Sequence, residues 1–334
     1  MVKNINKNMI QVEAFFKLVR WPNLLIIAVT QYIIRYCIIL PMLRINGFAL
    51  QFSSFDFFCL VLSTLSIAAA GYVINDYFDT KTDSINRPHK IIVGKYISRR
   101  AAILIHTVLN VLGVILGFYI SYRIHHIVLG IVFPMIAGIL WFYSTTYKRN
   151  FLIGNFIVAF LTACVPLLVA VYDIPPINRA YSQILLQSGS NLNYIFNWAL
   201  VFSYFAFLLN LNREIIKDVE DFEGDQVFGR NTLPIVLGIK WSKVIITFLN
   251  AIIIFSLFFF YWKYLKIKFD GTVDFVSLFY FMFLLVFPLL IVIYKIITAK
   301  DKSDYHTGSI ITKFVMLFGL LYALVADLII SYSF

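Results

Sequence analysis

Long apolar runs separated by short polar clusters dominate the pattern of this chain. Runs at about 22–43, 53–75, 101–121, 126–146, 151–172, 194–215, 241–262, 274–296 and 309–331 each have the ~20 residues a helix needs to cross a bilayer. Hydrocarbon offers no partner to backbone N–H and C=O groups, so runs of this length predict helices that satisfy their own hydrogen bonds. The expected fold class is all-α: a polytopic membrane protein with nine transmembrane helices around a central cavity. A single membrane domain is expected over 1–334, with residues 1–20 as a cytoplasmic N-terminal segment. The stretch Ile174–Asn193, which holds Pro175, Pro176, Ser188, Gly189 and Ser190, reads as an outside loop.

Composition agrees with that pattern. Of 334 residues, 61% are hydrophobic and only 13% charged, about half the ~25% charged share of a soluble domain. The net charge of +11 would raise nucleic acid as a partner in a soluble protein. Here it follows from the gathering of Lys and Arg in cytoplasmic loops, and no nucleic acid is expected. With the N-terminus placed inside, the inner segments hold 20 Lys and Arg and the outer loops six, among them the cluster Lys263, Lys266 and Lys268. That asymmetry sets the orientation under the positive-inside rule. The N-terminus is polar for a dozen residues, so no cleavable signal peptide is expected. Cys37, Cys59 and Cys164 lie in apolar runs without C-x-x-C spacing and read as small core residues. His89, His106, His125, His126 and His306 show no metal-ligand spacing.

The acidic residues carry the chemistry. Two clusters, NDYFDTKTD with Asp76, Asp79 and Asp83, and DVEDFEGD with Asp218, Asp221 and Asp225, share the spacing D-x-x-D-x-x-x-D at an offset of 142 positions. With Glu214, Glu220 and Glu223 they hold nine of the chain's 17 acidic residues. Carboxylates are costly beside hydrocarbon and are seldom placed there without a functional or pairing reason. Positions i, i+3 and i+7 share one helix face, so each trio can converge, and three carboxylates without a counterion repel one another. Mg²⁺ resolves the repulsion, because it prefers oxygen ligands, keeps several waters and bridges carboxylates to phosphates. Two such faces opposed across a cavity could hold a diphosphate between metal centres and neutralise it as a leaving group. The plainer reading is a set of interfacial acids paired with nearby Lys and Arg. The common offset suggests two related helical halves joined to a ninth helix, with a ligand site at their interface.

These runs resemble a known family. NDYFDTKTDSINRP and REIIKDVEDFEGD followed by GRNTLPIVLG are similar to the two motifs of the UbiA family of intramembrane prenyltransferases, and WPNLL opens the first helix as that family's sequences do. The resemblance covers essentially the whole chain, with the motifs in the loops after helices 2 and 6. It implies Mg²⁺-dependent transfer of a prenyl group from an allylic diphosphate donor to a lipid-like or aromatic acceptor. It assigns Asp76, Asp79, Asp83, Asp218, Asp221 and Asp225 to metal binding and catalysis, with Asn75 beside the first set. Arg87 in NRPHK falls where the family places diphosphate-binding cations, the alternative being a loop cation facing anionic lipid. Tyr143, Tyr147 and Lys148 in YSTTYKR are candidates for diphosphate contact or for an interfacial aromatic–basic anchor. Lys217 reads as a salt-bridge partner or a phosphate contact, and Asn23 as a polar cavity residue. Arg213 and Glu214 could brace one another or shape the acceptor site.

The run R-E-I-I-K-D-V-E-D-x-x-G-D, then T-L-P, looks most like the ether-lipid branch of the family, whose acceptor is the free hydroxyl of a prenylated glycerol phosphate and whose donor is geranylgeranyl diphosphate. Lys90, Lys95, Arg99 and Arg100 are cations available to an acceptor phosphate. An aromatic acceptor of the 4-hydroxybenzoate or homogentisate type is the main alternative. A secondary transporter is a remote one, because a transporter's charged residues belong near the bilayer midplane. The resemblance also places the protein in the plasma (inner) membrane of a prokaryote with the active site facing the cytoplasm. Gly224, Gly229, Pro234 and Gly238 read as backbone devices, and Thr232 as a helix cap beside Pro234. Arg35, deep in the first helix, is expected to snorkel outward or to pair with Asp56 or Asp327.

Overall fold

The structure, a computed structural model, describes residues 11–86, 88, 91–267 and 271–332. Among the described residues, nine helices are long and apolar enough to cross a membrane: α1 (Trp21–Ile45), α2 (Ser54–Ile85), α3 (Arg99–Arg123), α4 (Ile127–Thr145), α5 (Ile153–Ala180), α6 (Asn193–Glu220), α7 (Leu233–Leu265), α8 (Phe275–Thr298) and α9 (Lys302–Ser331). The expected all-α membrane fold is what these residues form. π-helical turns interrupt α1 at Ile34–Ile39 and α8 at Phe281–Val286.

Several boundaries differ from those read off hydropathy. α2 continues through the whole first acidic cluster and α6 runs on to Glu220, so Asp76, Asp79, Asp83 and Asp218 sit on helices and not in loops. Apolarity marks where a helix leaves hydrocarbon. It does not mark where the helix ends, because Lys and Glu are good helix formers. The second cluster does not keep one face, since α6 ends at Asp221 (φ −95°, ψ 11°) and Asp225 belongs to a separate short helix, Phe222–Val227. The expected outside loop is also largely helical. α5 passes through Pro175 and Pro176 to Ala180, and a further turn, Ser182–Ser188, ends on Gly189 at φ 63°. Adjacent prolines remove neighbouring hydrogen bonds near a helix end, and buried Tyr172, Asp173 and Ile177 keep that turn packed. Gly229 and Gly238 do turn the chain, with φ of 60° and 81°. Thr232 stands at the N-cap of α7 in extended conformation, yet its side chain makes no capping hydrogen bond. Pro234, two residues on, lacks the N–H that such a side chain would accept from.

The chain divides into two compact units. The first comprises Met1–Val29, Phe52–Asn150 and Glu223–Arg230, the second Thr30–Gln51, Phe151–Phe222 and Asn231–Phe334. In the first, Leu18, Val73 and Ala102 are fully buried in a core shared with Val19, Ala69 and Val93. Asp56 pairs with Arg123 at 3.2 Å, joining the start of α2 to the end of α3. Gly117 on α3 faces the ring of Phe133 on α4 so closely that a methyl group at Gly117 would lie 2.2 Å from the nearest ring carbon. Small residues of this kind let membrane helices approach. Gly117→Val should therefore lower stability by about 1–3 kcal/mol, read as a reduced unfolding temperature in detergent. An unchanged midpoint would show that α3 and α4 do not depend on this contact.

In the second unit, Ile216, Leu233, Ile246, Val292 and Ile296 are fully buried in one core. Arg35 neither snorkels nor reaches Asp56 or Asp327. It pairs with Asp173 of α5 at 3.2 Å, and both side chains are almost wholly buried. Asp56 is occupied by Arg123, and Asp327 accepts from Ser331 one turn along α9. Pairing is the low-cost solution for a guanidinium held within hydrocarbon.

Candidate functional site

Within the first unit, polar segments before α1, after α4 and after α6 converge on the C-terminal turns of α2. Spacings of three and four residues bring Asn75, Asp76, Asp79 and Thr82 to one side of that helix. Asp76 accepts a hydrogen bond from Nη2 of Arg20 at 2.7 Å. Arg20 immediately precedes α1 in left-handed conformation, φ 52°, an uncommon state for a residue with a Cβ. Its guanidinium also lies over the ring of Tyr72, 5.0 Å from the centroid. The unusual backbone therefore coincides with a cation directed at a carboxylate, the kind of site where strain accumulates.

Asp79 is the hub. Nζ of Lys148 stands 2.8 Å from it and Nη2 of Arg230 2.7 Å. Lys148 also donates to Oδ1 of Asn75 at 3.2 Å. Nη2 of Arg230 donates to Oγ1 of Thr82 at 3.0 Å, and Nη1 to Asp225 at 3.3 Å. Arg230 thus joins the first acidic cluster to the last member of the second. Asp225 is 3% exposed and Lys148 5%, so these are charges held largely away from water. Burial pushes the Lys148 ammonium below the usual lysine range, and neighbouring Arg230 and Arg149 add to the fall against the pull of Asp79. Burial also works against the Arg230 cation, but Asp79 and Asp225 outweigh it and hold its pKa above the ordinary value.

Lys148 reaches the hub because the chain leaves α4 through a tight turn at Tyr147–Arg149. Tyr143 lies close enough to Arg20 and Arg230 to influence both cations. Tyr147 does not join them, since it is 37% exposed and packs against Phe142. Asn23 is partly buried one turn after Arg20, to whose carbonyl its backbone N–H donates at 2.8 Å. Arg99 lies over the ring of Tyr77, 4.1 Å from its centroid. Arg87 and Lys90 fall outside the described residues.

In the second unit, Asp218 accepts from Nδ2 of Asn155 at 2.8 Å. Lys217 pairs with Glu214 at 2.5 Å, and Arg213 lies 3.5 Å from the same carboxylate. The salt-bridge reading of Lys217 and the mutual bracing of Arg213 and Glu214 are therefore the arrangements observed. Lys302 stands 3.9 Å from Asp221, and His306 contacts Glu220 at 3.0 Å.

Arg20, Arg230 and Asn155 were not singled out from the sequence as site residues. Arg20 is one of the cations of the N-terminal segment, and Arg230 lies in GRNTLP. A signal was present for Arg230, a cation just after Gly229 and five residues from Asp225. Asn155, the one polar side chain in the first two turns of α5, was the other. Among the described residues, no three Asp, Glu, His or Cys side chains form a ready cage for a metal ion. Asp76, Asp79 and Asp225 are instead held by Arg20, Lys148 and Arg230. Asp76, Asp79 and Asp225 offer only hard oxygen donors, which suits a cation such as Mg²⁺ that completes its shell with water and phosphate.

Similarity to known proteins agrees with this chemistry. Residues 47–310 match the UbiA prenyltransferase family. Digeranylgeranylglyceryl phosphate synthase of Methanothermobacter thermautotrophicus is 32% identical over 209 residues, 62% of this chain and 66% of that protein, so the match spans just under two thirds of that relative. A solved structure described as giving insight into digeranylgeranylglyceryl phosphate synthase in membranes superposes with a TM-score of 0.60 at 22% identity, over 94% of this chain and 99% of that one. A UbiA homolog from Archaeoglobus fulgidus bound to DMAPP and Mg²⁺ does so with a TM-score of 0.54 at 16% identity, over 93% and 99%. Those two likenesses concern the fold. The family match extends over more than half of the sequence, and the chain belongs to the UbiA prenyltransferase family.

Proposed function

We propose that this protein transfers a geranylgeranyl group from its diphosphate to the free hydroxyl of a prenylated glycerol phosphate, with Mg²⁺, in ether-lipid synthesis. The observation that carries the reading is the charge-balanced nest at the end of α2, where Asp76, Asp79 and Asp225 face Arg20, Lys148 and Arg230. Such a nest can bind a metal–diphosphate through its acids and its cations together. The similarity to a digeranylgeranylglyceryl phosphate synthase supports the choice of acceptor. The family match runs across residues of both units, which supports reading the chain as one prenyltransferase domain.

In this reading Asp76, Asp79, Asp83, Asp218, Asp221 and Asp225 hold Mg²⁺, which when bound neutralises the diphosphate as a leaving group. The chain's own part is electrostatic. Lys148, Arg20 and Arg230 place positive charge where the departing diphosphate gathers negative charge, and preorganised cations are most effective where water is scarce. Asn75 orients Lys148, and Asn155 orients Asp218. Tyr143 lines the phosphate side, and Asn23 the start of the prenyl path. We assign the protein to the plasma membrane of a prokaryote, with the N-terminus and the acidic clusters on the cytoplasmic side, as the Lys and Arg distribution supports.

The test is an assay of the purified protein with labelled geranylgeranyl diphosphate, offered geranylgeranylglyceryl phosphate, 4-hydroxybenzoate and homogentisate in turn. Transfer to the glycerol phosphate alone, abolished by a chelator and restored by Mg²⁺, is expected. Transfer confined to an aromatic acceptor would overturn the ether-lipid assignment, and transfer insensitive to chelation would overturn the role given to the acids.

A further inference from the structure

Arg230 makes more contacts in the nest than its neighbours do. It is the single side chain seen to join Asp79, Thr82 and Asp225, using both terminal nitrogens. Asp79 already has a second cation, Lys148, at 2.8 Å. One carboxylate therefore carries two cations, and Asp76, Asp79 and Asp225 are each paired with a protein cation. The guanidinium is planar and forked, so it spans two carboxylates as no single ammonium can. Its side chain is 15% exposed, Asp79 13% and Asp225 3%, so solvent screens these pairs far less than it would surface pairs.

From this we infer that Arg230 is a displaceable internal counter-cation. It occupies the carboxylates of Asp79 and Asp225 until a divalent metal arrives together with a diphosphate. The inference rests on the prenyl-diphosphate reading above and adds an order of loading to it. A bare divalent ion must expel the guanidinium from two carboxylates and leave it without a partner in a partly buried place, which is costly. A metal that arrives with a diphosphate brings the partner with it. The guanidinium can move from Asp79 and Asp225 onto phosphate oxygens while the metal takes the carboxylates, so no charge is left uncompensated. Arg230 then excludes free metal from the site and makes metal binding depend on the donor. Thr82 sets the resting position, because its hydroxyl accepts from the nitrogen that reaches Asp79.

Mn²⁺ can replace Mg²⁺ as the probe, with unbound Mn²⁺ followed by electron paramagnetic resonance on the purified full chain, with and without a non-hydrolysable geranylgeranyl thiodiphosphate. For the wild type, the donor analogue should tighten Mn²⁺ binding by well over tenfold. In Arg230→Gln, Mn²⁺ alone should bind about tenfold more tightly than in the wild type, because a carboxylate freed of its ion pair attracts the metal more strongly. The gain from the donor analogue should shrink correspondingly. Arg230→Lys keeps the charge but cannot span both carboxylates, so its Mn²⁺ affinity should fall between those of the wild type and Arg230→Gln. Thr82→Val leaves every charge in place but loosens the resting guanidinium, and should tighten Mn²⁺ binding about two- to threefold. That variant decides the matter if Arg230→Gln does not fold. Equal or weaker Mn²⁺ binding by folded Arg230→Gln, or no change in Thr82→Val when the former is unfolded, would overturn the counter-cation role while donor-dependent Mn²⁺ binding by the wild type leaves the prenyl-diphosphate reading standing. Failure of the wild type to bind Mn²⁺ even with the donor analogue would overturn both.

Discussion

An Asp76→Asn, Asp79→Asn double variant should keep less than about one thousandth of the wild-type rate of prenyl transfer, since loss of a single preorganised electrostatic group costs roughly 10²–10³. Asparagine preserves the shape of each side chain and an oxygen that can still accept from Arg20 or Arg230. What disappears is two negative charges. Arg20, Lys148 and Arg230 would then face the donor without their carboxylates, and an anionic diphosphate would still be attracted. The loss should therefore fall on kcat far more than on the KM of the donor, because the acids are needed when the carbon–oxygen bond breaks and the cations suffice to bind. Single-turnover measurements at saturating Mg²⁺ check this. A double variant that retained a tenth of the wild-type rate would show that the α2 acids are interfacial charges and that the chemistry is done elsewhere.

The second large effect is on stability. Arg35→Met alone leaves the buried carboxylate of Asp173 without its cation, and breaking one side of such a pair costs about 3–5 kcal/mol. Asp173→Leu alone strands the guanidinium and should cost a similar amount. The double variant Arg35→Met, Asp173→Leu removes both charges and should recover most of the loss, since replacing a buried pair by apolar groups is often neutral. Unfolding midpoints in one detergent, compared across the four proteins, measure the coupling. Arg35 lies 15 residues from Arg20, ~22 Å along a helix, so the folded double variant should transfer prenyl groups at close to the wild-type rate. Additive losses in the double variant would show that the two residues act separately.

How far the sequence could be read depended on what each signal measures. Hydropathy located all nine membrane helices because burial in hydrocarbon is a property of about 20 consecutive residues. It misplaced the ends of α2, α5 and α6, and the starts of α7 (Leu233, expected at about 241) and α9 (Lys302, expected at about 309), because crossing the membrane boundary and bounding a helix are different events. The acids of the first cluster were legible from spacing, since 76, 79 and 83 remain on one uninterrupted helix. Those of the second were less so. Nothing in D-x-x-D-x-x-x-D announces that the helix stops at Asp221 and that Asp225 joins a different packing unit. The cations were the weakest part. Arg20 and Arg230 stand 56 and 151 positions from Asp76 and Asp79, and in a chain with 28 Lys and Arg the five-residue spacing of Arg230 from Asp225 is only a faint local hint of which are drawn inward. The partner of Arg35 was likewise a matter of tertiary packing, which brings Asp173 of α5 to it in place of Asp56 or Asp327.

The length of α2 has a further consequence. A helix of 32 residues measures ~48 Å, well beyond the ~30 Å of hydrocarbon in a common bilayer. With Ser54 set at one edge of the hydrocarbon, Asp76, 22 residues on and ~33 Å along the axis, falls at about the height where the acyl chains give way to headgroups. Under the proposed function, the donor diphosphate would be met at a fixed height above the membrane core, set by counted helical turns. An amphiphile can present its diphosphate there without withdrawing its tail from the lipid. Bilayer thickness thus becomes a variable of the reaction: lipids long enough to raise the acyl boundary past Asp76 would submerge the acids, and the same polypeptide would work at different rates in membranes that differ only in chain length.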